Sequence, residues 1–188
     1  MSHAADPLLQ AETLIHEFCH QKMNQLLLAE PILLPGQAGQ VFYSPWRKDP
    51  RRLRGLILGA HAFLNVARYL ERSLSREHYG ARMRIAVMTN VARRLFEVQS
   101  ALATVAAYAE LTDFGRRFLL GMLRETAGLF HAAQWYPALL MREAEREFLA
   151  HRRRHGLAWT GFHRDPKFEP RVKTLAFGHP VKDGRGKG

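Results

Sequence analysis

Residues 53–70 read LRGLILGAHAFLNVARYL, and this stretch decides the fold. Its apolar side chains recur at helical spacing and form a stripe wide enough for a helix that is buried on most sides. The stripe consists of Leu53, Leu56, Ile57, Ala60, Phe63, Leu64, Ala67 and Leu70. Asp49-Pro50, a capping residue followed by proline, predicts where this helix begins, and we expect it to continue to about Ser75.

Further helical patterns flank this stretch on both sides. The predicted helices run from about Asp6 to Ala29, from about Arg82 to Ala109, and from Thr112-Asp113 towards Ala150 with a kink at Pro137. Ser44-Pro45-Trp46-Arg47 lies in the loop between the first two helices. We therefore expect an all-α protein of about four long helices in a bundle-like domain over residues 1–155.

The composition limits the classes of function. The chain has 188 residues, 47% of them hydrophobic, which suffices for one domain with a core. No apolar run reaches the roughly 18 to 20 residues of a membrane span, and Met1 to Asp6 does not resemble a signal peptide. Cys19 is the single cysteine, which excludes a disulfide framework and indicates a reducing cytoplasm.

The positive charge is concentrated near the end of the chain. The net charge is +11, and the residues from His151 onward contain ten Lys/Arg against three Asp/Glu. Helical periodicity is lost after Gly156, where Gly, Pro, Lys and Arg dominate. We therefore predict that residues 156–188 form a basic tail that is irregular or disordered.

One motif in the first helix carries metal chemistry. Residues 16–20 read His-Glu-Phe-Cys-His, an HExxH pattern. On a helix, His16 and His20 project from the same face one turn apart, so their ring nitrogens can converge on one metal ion. Glu17 lies next to the first ligand and is the candidate catalytic residue. The structural alternative is a pair of histidines at a solvated helix edge.

A catalytic metal site needs a third protein ligand. The chain lacks the further histidine of the HExxHxxGxxH form. We predict His61, a polar residue in the most apolar helix, whose small neighbours Gly59, Ala60 and Ala62 would let another helix approach closely. Glu71 on the same helix is the alternative ligand, and a core histidine bonded to a carbonyl is the structural alternative for His61.

Three histidines without cysteine suit zinc or Fe(II). With zinc, Glu17 would activate water for hydrolysis. With Fe(II), open positions would accept a keto acid and dioxygen, and 2-oxoglutarate would also need a cation for its distal carboxylate. The segment 47–54 offers Arg47, Arg51, Arg52 and Arg54, of which Arg47, Arg52 and Arg54 are the candidate co-substrate residues. A solvated face or a patch for an acidic partner would explain the same cluster.

Several segments together resemble a family of HExxH-motif proteins from gene clusters for ribosomally made, modified peptides. They are residues 14–20, 44–47, 49–51, 54–63, 111–116 and 151–155, so the resemblance covers about residues 10–155. It implies an Fe(II)- and 2-oxoglutarate-dependent β-hydroxylase that acts on a precursor peptide. His16 and His20 match the pentad ligands of the family. Its third histidine often precedes the glycine at position 59, where this chain has Leu58.

The sequence thus leaves three hypotheses of function. The first is the iron oxygenase, with a precursor peptide as partner and Glu17 orienting a ligand or water. The second is a zinc metallopeptidase that uses Glu17 as base, although few strands are predicted for binding substrate by strand addition. The third is a non-enzymatic helical module that binds acidic partners through its basic tail. No helix-turn-helix, zinc-finger or RNA-binding signature is present, so nucleic acid is not the expected partner.

Overall fold

The computed structural model describes residues 7–37 and 39–156, and it is all-helical in these ranges, as predicted. The helices are α1 (Pro7–Ala29), α2 (Leu53–Arg76), α3 (Ala81–Tyr108), α4 (Asp113–Ala133) and α5 (Ala138–Gly156). The described part contains no strand, only isolated bridges that pair Leu33 with Leu111 and Phe42 with Arg51.

α2 and α3 form the centre of the helical bundle. α1 packs on α2, α4 packs on both central helices, and α5 packs on α3. The stripe predicted from the sequence is indeed the buried face of α2, where Leu53, Leu56, Ala60, Ala67 and Leu70 are almost fully covered. Burial of so many aliphatic groups, each stabilising by about 1 to 3 kcal/mol when fully covered, makes this pair of helices the core.

The first turn of α2 differs from the prediction. The helix begins at Leu53 with Arg52 as its N-cap, and not at Asp49-Pro50. Phe42 and Arg51 exchange two backbone hydrogen bonds of 2.8 Å, which hold this stretch extended. The Asp49 carboxylate meanwhile pairs with Arg47 and Arg51 instead of capping the helix. The pairing with the SPWR loop therefore overrides the local helix-start signal.

The C-terminal half contains two helices where one kinked helix was predicted. The start is as expected: Thr112 is the N-cap of α4, and its hydroxyl accepts a hydrogen bond from Gly115 N at 2.9 Å. α4 ends at Ala133, and α5 begins only after Pro137. Proline has no N–H to continue the ladder of hydrogen bonds, so the predicted kink at Pro137 is a full break.

A buried polar group ties α1 to α3. Glu12 is 8% exposed and accepts a hydrogen bond of 2.6 Å from Asn90 Nδ2. Arg94 approaches Glu12 at 3.9 Å and pairs with Glu97 at 2.9 Å. Buried carboxylates are tolerated where such partners are present, so this group fixes the N-terminal half of α1 against the bundle.

The end of the chain is described only in part. α5 continues to Gly156, at the predicted boundary between the helical domain of residues 1–155 and the tail. The predicted basic tail of residues 156–188 lies outside the described residues except for Gly156. Among the described helices, none combines the length and apolar character needed to cross a membrane.

Candidate functional site

The two histidines of the HExxH pentad lie together on α1. The ring centroids of His16 and His20 are 4.4 Å apart in an edge-on arrangement. Both side chains are half-buried where α1 meets α2. Burial lowers the pKa of His20, and the neighbouring His16 lowers it further. The His20 imidazole is therefore neutral near pH 7 and has a lone pair available for a metal ion.

Glu17 contacts the first histidine and not the groove beyond it. Its Oε1 lies 3.2 Å from Nδ1 of His16, and its side chain is 67% exposed. A carboxylate only accepts hydrogen bonds, so Nδ1 of His16 carries the proton and Nε2 keeps its lone pair. This is the arrangement by which a carboxylate orients a metal-binding histidine.

A set of aromatic residues that was not predicted from the sequence as part of the site lies next to His16. The ring of Phe63 on α2 lies 4.7 Å from His16 and 5.1 Å from Trp46 of the SPWR loop. The Arg94 guanidinium stands over Phe63 at 4.1 Å. Trp46 can approach because Gly59 beneath it has no side chain. Phe63 thus packs on His16, and its contact with Trp46 connects His16 to the SPWR loop.

Of the candidate arginines, Arg54 is the one that faces α1. Its Nη2 donates to Oδ1 of Asn24 at 3.2 Å. Asn24 follows His20 by one turn, about 6 Å along the helix axis, so it belongs to the same row as the two histidines. Arg47 is exposed and paired with Asp49, and Arg52 is exposed at the start of α2.

The direct contacts of His61 are with α4 and Asn65 and not with the histidine pair, although His20 adds to the effect of burial in lowering the pKa of His61. Its ring lies 5.8 Å from Phe118 of α4. Nε2 is 3.3 Å from Nδ2 of Asn65, while the buried Nδ1 has no hydrogen-bond partner among the described residues. Since the amide NH₂ donates, Nε2 is the acceptor and Nδ1 carries the proton.

The environment of His61 keeps its ring neutral. Burial, reinforced by the positive charges of Lys22 and Arg68, lowers the pKa of His61 to about 4. Its only ring lone pair is already directed at Asn65, so the ring would have to release Asn65 before binding a metal ion.

The predicted trio is therefore brought together only in part. His16 and His20 are neighbours, but within residues 7–37 and 39–156 no three His, Cys, Asp or Glu side chains are close enough to hold one metal ion. His61 as third ligand stays a prediction. Glu71, the alternative, lies a further two to three turns along α2.

Comparison with known proteins adds no relative: no family model matches the chain, and no curated protein matches it.

Proposed function

We propose that this chain is a metal-dependent enzyme that modifies a peptide, most consistent with an Fe(II)- and 2-oxoglutarate-dependent β-hydroxylase of a ribosomally made precursor peptide. The observation that carries the proposal is the contact between Glu17 and Nδ1 of His16. In this contact Glu17 orients His16, which is the role that the oxygenase hypothesis gives it, whereas the zinc peptidase needs Glu17 to reach a metal-bound water.

The ligand pair fits two adjacent positions on a metal ion. His16 offers Nε2 because Glu17 holds the proton on Nδ1, and His20 is neutral because burial lowers its pKa. Fe(II) bound there, with 2-oxoglutarate and dioxygen as co-substrates, would supply the oxidising chemistry that hydroxylates an unactivated C–H bond. The chain itself would hold the His16 ring through its contacts with Glu17 and Phe63.

Arg54 is the residue that we assign to the distal carboxylate of 2-oxoglutarate. It is exposed, and it lies next to Asn24 in the row that contains both histidines. A guanidinium binds a carboxylate in a bidentate manner that lysine cannot reproduce. Arg47 is a weaker candidate because Asp49 already occupies its guanidinium.

Metal analysis combined with succinate release tests the proposal. Protein purified without oxygen should contain iron. After dioxygen and the precursor peptide are added, it should convert 2-oxoglutarate to succinate and CO₂ as the peptide is hydroxylated. His16→Ala and His20→Ala should each lose the metal, whereas His131→Ala, on an exposed part of α4, should retain it. Stoichiometric zinc with cleavage of a peptide bond, or metal retention in both pentad variants, would contradict the proposal.

Arg54→Ala separates co-substrate binding from metal binding. We expect it to retain iron and to raise the KM for 2-oxoglutarate by about tenfold or more, which corresponds to the loss of one charged hydrogen-bonded contact. Arg124→Ala, which removes an exposed arginine of α4 away from the candidate site, is the matched control and should leave the KM within about twofold.

A further inference from the structure

A groove of about 670 Å³ runs between α1 and α2, and neither His16 nor His20 lines it. One wall belongs to α1 and includes Leu14, Phe18 and Lys22. The other wall belongs to α2 and includes Arg68, Arg72 and Arg76. The groove therefore joins apolar groups on one helix to a row of cations on the next.

The three arginines follow one another by a single helical turn. Positions 68, 72 and 76 share one face of α2 and rise by about 6 Å from one to the next. Arg68 is partly engaged, since it bonds to Glu125 and Asn65, each at 2.8 Å. Within the described residues neither Arg72 nor Arg76 forms an ion pair, and the same holds for Lys22 across the groove. Glu77 also lines the groove, so its described lining has four cations against one carboxylate, and positive charge remains available for an acidic ligand.

The apolar wall is unusually open to solvent. Leu14 is 71% exposed and Phe18 is 69% exposed, and they are separated by one turn of α1. Two large apolar side chains at i and i+4 form the kind of ridge that accepts the apolar face of another helix. In the antiparallel register set by the Arg54–Asn24 and Phe63–His16 contacts, these two side chains lie level with the part of α2 that precedes Arg68. The apolar part of the groove and its arginine row therefore follow one another along its length.

We propose that this groove binds an acidic amphipathic helical segment of a partner peptide. Its carboxylates, spaced by one turn, would face Arg68, Arg72 and Arg76, and its apolar side chains would cover Leu14 and Phe18. The 68–76 row spans about 12 Å, which matches roughly two to three turns of a docked helix. The proposal goes beyond the metal chemistry of the pentad and does not depend on it.

The charge of the chain's own C-terminal segment argues against that segment as the occupant of the groove. Residues 157–188 contain seven Lys/Arg and three Asp/Glu, so the chain's own C-terminal segment has the same sign of charge as the arginine row. Nucleic acid would also complement the charge of that row, and Phe18 and Tyr69 offer rings for stacking, so RNA binding is an outcome that the test must separate. Leu14 and Ile15 beside Phe18 are aliphatic, which favours the apolar face of a peptide helix.

Fluorescence anisotropy with a defined peptide tests the proposal on the full chain. The probe is a capped, labelled peptide of about 16 residues, with glutamates on three successive turns and leucines on the adjoining face. We expect saturable binding that weakens as salt is raised. The same peptide with glutamine in place of each glutamate should bind about tenfold more weakly or worse.

Charge-reversal variants locate the binding to the groove. Arg72→Glu combined with Arg76→Glu should weaken binding by about tenfold or more and should bind a peptide with lysines in place of the glutamates. Phe18→Ser should weaken it through the apolar wall. Arg142→Glu combined with Arg153→Glu, a matched exposed pair on α5, should change it by less than about twofold.

Three results would overturn the proposal. The first is equal binding of the glutamate and glutamine peptides. The second is equal loss of binding in the α2 and α5 charge-reversal pairs. The third is self-association of the chain, or binding of a short RNA in place of the peptide, that depends on Arg72 and Arg76. Because iron content is measured separately, failure of this proposal leaves the proposed oxygenase activity untouched.

Discussion

The indole of Trp46 lies directly on the backbone of Gly59, so closely that a Cβ at that position would overlap the ring. The small residue on α2 and the bulky one in the SPWR loop are therefore a matched pair. Through this contact the loop comes to rest beside Phe63, and Phe63 contacts His16. The SPWR loop can lie next to the HExxH residues because Gly59 has no Cβ atom.

Gly59→Ala should therefore destabilise the protein. The added methyl group would displace Trp46, at a cost of about 1 to 3 kcal/mol in the free energy of unfolding, measured by urea denaturation. Gly121→Ala is the matched control, because that glycine lies in an exposed part of α4 and a methyl group added there would point into open space, with no neighbouring group within 4 Å. It should stabilise by about 0.5 to 1 kcal/mol. Destabilisation by both variants to the same extent would contradict the packing argument.

Thr112→Ala should weaken the start of α4. The Thr112 hydroxyl accepts from Gly115 N at 2.9 Å and donates to the carbonyl of Pro31 at 2.7 Å. Loss of a cap that also joins α4 to the segment after α1 should cost about 1 to 2 kcal/mol in urea denaturation. Thr112→Ser keeps the hydroxyl and should recover most of that loss. A Ser variant as unstable as the Ala variant would show that the methyl group, and not the cap, matters.

His61 should make the stability depend on pH. Its pKa in the folded protein is about 4, whereas an unfolded histidine titrates near 6.5. Between these values the unfolded chain binds the extra proton, so the free energy of unfolding should fall as the pH is lowered from about 6.5 to about 4. The loss should be about 1 to 2 kcal/mol after solvent screening of this partly exposed group.

His61→Leu should flatten that part of the stability profile. His131→Leu, a substitution of an exposed histidine on α4, should leave the slope as it is in the parent protein. Burial also lowers the pKa of His20 and of His151, so a smaller slope of the same sign should remain in His61→Leu. An unchanged slope in that variant would show that His61 is not the group responsible.

Leu58→His should strengthen metal binding. Arg54 reaches Asn24 and Phe63 reaches His16, so α1 and α2 run antiparallel. Arg54 lies level with Asn24. One turn further along α2 is Leu58, and one turn back along the antiparallel α1 is His20, so position 58 lies level with His20. A third imidazole there should raise the affinity for Zn²⁺ by about tenfold or more, measured by competition with a chelating dye.

The control for this prediction is Ile85→His, which adds an exposed histidine on α3 away from the pentad. It should leave the affinity within about twofold. If both variants bind equally well, the antiparallel register does not bring position 58 to the histidine pair.

Local signals in the sequence were sufficient for much of this fold. The stripe of α2 and the Thr112 cap depend on residues within a few turns, as does the pairing of His16 with His20, so they could be predicted directly. The start of α2 could not, because the Phe42–Arg51 pairing joins two segments through a loop. The side of α2 that faces α1 also depends on tertiary packing, so helical spacing could not show which α2 side chain lies nearest to His16 and His20.

His16 and His20 belong to consecutive turns of a single helix, and this limits what a metal held by them can do. An ion held by these two residues alone links two turns of α1 and does not link α1 to α2. It would therefore stabilise one helix and not the packing between two helices. A synthetic peptide of residues 7–29 would then carry most of the metal affinity of the whole protein. The stability of the folded bundle would depend on the metal only if another helix also supplied a ligand.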